Sequence, residues 1–330
     1  MKLEKKQLDD LNIELTLNIE KGDYAESVRK KLAQRRRTAD FKGFRKGMVP
    51  ESLVRRVYGD QILAESVNEV ISKGLQDFID ENKLRVLGEP LGSEKQPEVE
   101  WKDGNDFTFI FDIATYPEFE VSAGKEDVIE KYTISASAKD KAEMTKNLKK
   151  YYEDKKEEKS DEDIEKELSA RLESEYAQQS EWRFTKDIRD HFVEKIKFDL
   201  PEAFMKRWLF EANSGKVSKE DVEKDFDGFL ADFRWQLIRS AFMRKYDFKI
   251  EQKDIQDAAV GYVHYQYAMY GMPNVPEEIV KDAVQNMMQD RSQIDRLVEQ
   301  VEDNKVLGKL KEEVTAKAKK ITSEKFRELK

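Results

Sequence analysis

Leu11, Ile13, Leu15, Leu17 and Ile19 alternate with polar residues, and that two-residue period predicts a half-buried strand. Gly22-Asp23 ends the pattern. Asp23 is placed to cap a helix running to about Thr38, with Tyr24, Val28 and Leu32 on its inner side. After a glycine-punctuated loop, Leu53, Val54 and Val57 predict a short helix. A longer one is expected from about Asp60, with Ile62, Leu63, Val67, Val70, Ile71, Leu75, Phe78 and Ile79 at helical spacing. Strands are expected near Arg85–Glu89 and Phe107–Thr115. Strand, helices around a loop, then strands describe a compact α+β domain over residues 1–117.

Beyond it, Val128–Ile134 reads as an extended segment. In residues 139–175, 10 Lys/Arg and 13 Asp/Glu leave only a thin apolar stripe: Leu148, Tyr151 and Tyr152, then Ile164, Leu168 and Leu172. So polar a face buries little area, which predicts a solvated helical arm or partly disordered linker across 118–180. The remainder, 181–330, reads as helix. Trp182, Ile188, Phe192, Val193 and Ile196 share one face, and Pro201 opens a helix with Phe204, Trp208 and Leu209 inward. Ser218 with Asp221 forms a capping-box pattern before a long stripe from Val222 to Phe242. Further helices are expected from near Lys253 to Gly271, from Pro276, and from Arg291 to Lys320. The fold class is therefore α+β, predominantly α.

Charge changes this picture in one place. Residues 29–56 carry +9, in a chain of 330 residues whose net charge is −9. A concentrated cationic region on an acidic body fits docking on a polyanion by one end. At its centre lies Phe41-Lys-Gly-Phe-Arg-Lys-Gly-Met-Val-Pro50, a loop by composition: Gly43 and Gly47 relax the backbone, and Pro50 suits the first turn of a helix. Between the glycines the chain holds out Phe44, Arg45 and Lys46. Arginine offers bidentate phosphate contacts, lysine a point charge, and the phenyl ring an apolar anchor.

With no cysteine and only His191 and His264, the chain has neither thiol chemistry nor a His/Cys metal set, and a lone helical histidine reads as structural. Glycine-rich nucleotide motifs are absent, and the carboxylates are unpatterned, so no enzyme and no cofactor is expected. The N-terminus lacks an apolar signal region, and no stretch approaches a membrane span, which predicts a cytosolic protein. Tyr262, Tyr265, Tyr267, Met269, Tyr270 and Met272 crowd one segment, with Met287 and Met288 nearby. Each reads individually as core. Together they suggest an adaptable apolar surface for unfolded segments.

The segment Gly43-Phe44-Arg45-Lys46-Gly47-Met48-Val49-Pro50 closely resembles the ribosome-docking signature of the trigger factors, ribosome-associated chaperones of bacteria. Met48 stands where that family usually has lysine. Tyr270-Gly-Met-Pro-Asn-Val-Pro276 is similar to the family's two-armed helical domain. The resemblance implies docking through Lys42, Gly43, Phe44, Arg45, Lys46 and Gly47 on large-subunit protein and ribosomal RNA. It further implies ATP-independent shielding of nascent chains, and a homodimer when free. Trigger factors normally carry an isomerase domain of the FK506-binding type, whose turns need Gly or Pro. Between Gly124 and Pro201 this chain has neither, so that domain is expected to be absent. Two alternatives compete: an RNA-binding protein with a helical scaffold or dimerisation arm, and a prolyl isomerase.

Overall fold

A computed structural model describes residues 1–155, 159–213 and 216–329. In chain order the elements are β1 (Lys2–Gln7), β2 (Asn12–Ile19), α1 (Lys21–Thr38), α2 (Glu51–Glu81), β3 (Leu91–Gly92), β4 (Phe107–Ala114) and β5 (Val128–Ser135). They continue as α3 (Ala138–Lys155), α4 (Asp161–Lys195), α5 (Glu202–Ala212), α6 (Lys219–Lys245), α7 (Gln252–Met269) and α8 (Glu277–Met287). The last are α9 (Arg291–Glu313), β6 (Thr315–Thr322) and α10 (Ser323–Arg327). The chain divides into two compact units, residues 1–119 with 198–226, and residues 120–197 with 227–330.

The first unit is built on a four-stranded sheet in the order β1-β2-β4-β3, with β2 antiparallel to β4 and Leu15 opposite Phe111. The alternation of β2 sends Ile13, Leu15, Leu17 and Ile19 inward, where Tyr24, Val28 and Leu32 of α1 and Leu63 and Val67 of α2 close over them. Helix α1 begins earlier than expected. Asp23 sits inside its first turn and accepts the Glu20 backbone N–H at 2.8 Å, so it closes a capping box instead of standing at the cap. Helix α2 is one continuous helix. Gly59, where a break was expected, costs about 1 kcal/mol in a helix interior, less than interrupting the apolar stripe on both sides of it. Around residues 85–89 there is only an isolated bridge, Val86 to Thr115. Gly88 at φ +67° and Pro90, which has no N–H, delay the pairing to β3. Helix α5 joins this unit: Phe198 stacks on Phe119 with centroids 4.2 Å apart, and Arg207 donates to Asp112 at 2.8 Å.

In the second unit the charged stretch forms two helices. Leu148, Tyr152, Ile164, Leu168, Leu172 and Tyr176 of α3 and α4 make a buried seam of their own, while Tyr151 stays exposed. One residue per turn from each helix is enough here, because Ile134 of β5, Ala136 and Met144 pack against the same seam. Part of the expected linker, residues 156–158, lies outside the described residues. Trp182, expected inward, is 64% exposed, whereas Ile188, Phe192 and Ile196 are buried.

The α6 stripe turns Ile238 and Phe242 inward, and Ser218 accepts the Asp221 N–H at 3.1 Å to start the helix. Buried Arg239 lies 3.0 Å from Glu302 and 3.2 Å from Asp303 on α9. The expected helix to Lys320 stops at Glu313. Thr315–Thr322 instead runs as β6, parallel to β5, with Val128 opposite Thr315.

Candidate functional site

Two consecutive turns shape the loop between α1 and α2. The Phe44 N–H donates to the Phe41 carbonyl at 3.0 Å, and the Met48 N–H to the Arg45 carbonyl at 2.9 Å. Gly43 and Gly47 sit at φ +92° and +83°, a region costly for any side chain. Both ends of the loop are anchored. Phe41 meets Tyr58 of α2 edge-on, Val49 is fully buried, and Arg36 Nε donates to the Val49 carbonyl at 2.7 Å.

Between the anchors, Lys42, Phe44, Arg45, Lys46 and Met48 are exposed, Phe44 to 43%. Lys42, Arg45 and Lys46 form no ion pair with any described residue. An apolar ring and free cations are therefore held in water by a backbone pinned on both sides. Exposing a phenyl ring forfeits roughly 2 kcal/mol of burial, so folding alone gives no reason for it.

The neighbouring basic run is less available. Arg35 stacks on the Tyr58 ring at 4.3 Å and Arg36 is occupied at Val49, while Lys31 pairs with Glu69 at 2.9 Å. Sequence reasoning missed this anchoring role, because nothing in Arg35-Arg36-Arg37 marks which guanidinium turns inward. Periodicity does the marking only once the helix phase is known.

In the second unit, the Tyr/Met segment lies on α7 and the turn after it. Tyr265, Met269 and Tyr270 are 63%, 71% and 82% exposed; Tyr262 and Met272 are also exposed, and Met287 and Met288 half-buried. Tyr262, Tyr267, Tyr270 and Met287 line a cavity of about 370 Å³ shared by α7, α8 and the start of α9. His264 is exposed.

His191 Nε2 lies 2.8 Å from buried Asp127, which Lys195 also contacts at 2.6 Å and the Gly124 N–H at 3.0 Å. Burial raises the Asp127 pKa, but the Lys195 and His191 contacts outweigh it and hold the carboxyl below its ordinary range. This cluster fastens the extended segment entering β5. No group of His, Asp or Glu able to hold a metal ion occurs among the described residues.

Residues 1–150 match the family model described as "Bacterial trigger factor protein (TF)", and residues 180–330 match "Probable trigger factor, C-terminal domain". The chain belongs to the trigger factor family. A trigger factor of Saccharophagus degradans is 31% identical over 140 residues, 42% of this chain and 31% of that one. One of Francisella tularensis subsp. holarctica is 27% identical over 150 residues, 46% and 33% of the respective chains. The matched stretch thus spans about a third of the length of these relatives.

The fold is shared with a solved structure of a trigger factor chaperone described for promiscuous substrate recognition in folding and assembly. That match has a TM-score of 0.51 and 11% identity, over 95% of this chain and all of the other. Within this trigger factor the loop between α1 and α2 lies inside the first matched stretch and the Tyr/Met segment inside the second. Among the described residues, no helix is long and apolar enough to cross a membrane.

Proposed function

We propose that this chain is an ATP-independent, cytosolic chaperone that docks on the large ribosomal subunit and shields unfolded segments on the Tyr/Met surface of its helical unit. The observation that carries the reading is the loop tip, where exposed Phe44 stands beside Arg45 and Lys46, two cations with no ion-pair partner among the described residues. Phe44 supplies the apolar anchor to ribosomal protein, and the cations supply phosphate contacts to ribosomal RNA. Tyr262, Tyr265, Met269, Tyr270, Met272, Met287 and Met288 supply soft contacts that accept many sequences weakly.

The test is co-sedimentation with intact large subunits, comparing the parent chain with the Phe44→Ala, Arg45→Ala, Lys46→Ala triple variant. Binding is expected to vanish, while thermal unfolding and suppression of aggregation in solution are unchanged. Equal binding by both chains would remove the docking assignment. The same reading holds that the chain is not a prolyl isomerase, so a proline-peptide assay should proceed at the uncatalysed rate. Self-association of the free chain, expected of the family, is read by sedimentation velocity.

A further inference from the structure

Parallel strands are ordinarily covered on both faces and paired on both edges, yet β5 and β6 form a sheet of only two. One of its edges is partly covered: α4 packs against β5, and the Ser180 hydroxyl on α4 donates to the Tyr132 carbonyl on the outer side of that strand. The other is open. The Thr315 N–H donates to the Asp127 carbonyl at 2.8 Å, so by alternation 315, 317, 319 and 321 turn their backbone groups toward β5. The backbone groups of Ala316, Ala318 and Lys320 then face outward, and no described backbone group bonds to them. β6 is exposed along most of its length.

Beside this edge runs a cavity of about 650 Å³, walled by β5 and α4 and reaching β6 at Ala316 and Ala318. The small side chains at those two positions leave room above the strand.

We propose that the open edge of β6 receives an extended acidic polypeptide segment as a third strand, one row of its side chains entering the cavity. Charge selects the occupant. Lys141 on the cavity wall and Lys320 on β6 form no ion pair with any described residue, and Lys317 has opposite it only Glu130, which Lys319 already holds at 2.8 Å. Of the two glutamates in the wall, Glu181 is already held by Lys131 at 2.8 Å and Lys311 at 2.6 Å, which leaves Glu173. The free charge around the edge is therefore positive. The same lysines discourage a neutral strand from pairing indiscriminately, as edge lysines do. Strand addition supplies main-chain hydrogen bonds, and the cavity and lysines supply the preference. The site is separate from the docking loop and does not rest on ribosome binding.

The experiment uses the full chain and capped eight-residue peptides alternating valine with glutamate or valine with lysine. The glutamate peptide is expected to bind at least about tenfold more tightly at low salt, and to slow amide exchange at Ala316, Ala318 and Lys320. Ala318→Pro removes an outward N–H without touching the β5 ladder. It should leave circular dichroism unchanged and weaken binding by about fivefold or more. Lys317→Glu with Lys320→Glu should invert the peptide preference, and this decides the matter even if the proline variant fails to fold. Equal binding of the two peptides, protection elsewhere, or an unaltered preference in the double variant would overturn the proposal. A concentration-dependent dimer that Ala318→Pro abolishes would also overturn it, by assigning the edge to a second copy of the chain.

Discussion

Glycines at positive φ carry two different burdens in this fold. At Gly43 a Cβ would meet nothing within 4 Å, so the penalty for a side chain is conformational alone. At Gly88, φ +67°, a Cβ would lie 2.8 Å from Trp208 Nε1, so strain and a clash with α5 combine. Gly43→Ala is expected to cost about 1 kcal/mol. Gly88→Ala should cost about 1–3 kcal/mol more, because Trp208 must move. Denaturant midpoints at constant slope measure both, and equal losses would show that Trp208 gives way freely. Gly43 was legible as a loop residue from its neighbours, since Phe44-Arg45-Lys46 has no place in a core. The role of Gly88 was not legible, because the ring it accommodates lies 120 residues further along the chain.

Elements defined by their own period were readable; those defined by a distant partner were not. β2 announced itself through five alternating aliphatic residues, α1 and α6 through stripes and capping residues, and the start of α8 through Pro276. β6 is Thr-Ala-Lys-Ala-Lys-Lys-Ile-Thr, in which alanine and lysine favour helix locally. Its strand state comes from β5, 187 residues earlier, and pairing context overrides local preference in strands. α10, just past β6, fastens the end of this pairing. Ser323 donates to Asp140 on α3, and Arg327 Nη2 donates to the same carboxylate at 3.1 Å. The Ser323 hydrogen bond leads, burial opposes it, and Arg327 adds to the effect, bringing the Asp140 pKa to about 2 from 3.8. A folded-state pKa below the unfolded one stabilises the fold above the unfolded value, and that contribution is lost as pH falls through the folded one. The α10 contact should therefore weaken between about pH 4 and pH 2. Amide exchange of residues 315–327 measured across that window reports it. Asp140→Asn should flatten that dependence, and a parent profile as flat as the variant's would remove Asp140 from the account.

At the scale of the chain, the first unit is discontinuous, and the α5 segment that completes it is separated from residue 119 by the start of the second unit. A fragment of residues 1–119 loses the Phe198 stack on Phe119, the Trp208 contact at Gly88 and the Arg207–Asp112 pair. It should unfold at lower denaturant than the first unit does within the full chain, by about 2–4 kcal/mol; an unchanged midpoint would make α5 a passenger.

Charge is divided as unevenly as stability. With +9 in residues 29–56 and −9 overall, the rest of the chain is strongly acidic and repels a polyanion that the loop attracts. Several cations of the basic run are already engaged, Arg36 at Val49 and Lys31 with Glu69; in the proposed docking, Lys42, Arg45 and Lys46 are the phosphate contacts beside Phe44. Each phosphate neutralised contributes about 0.7–0.9 to the slope of log affinity against log salt, so three contacts predict a slope near −2 to −3 for ribosome binding. Arg45→Ala should reduce that slope by about one. Phe44→Ala, in contrast, should weaken binding at every salt concentration and leave the slope alone, since a phenyl ring releases no counterions. If both variants changed the slope alike, the division of labour between ring and cations at this tip would be wrong.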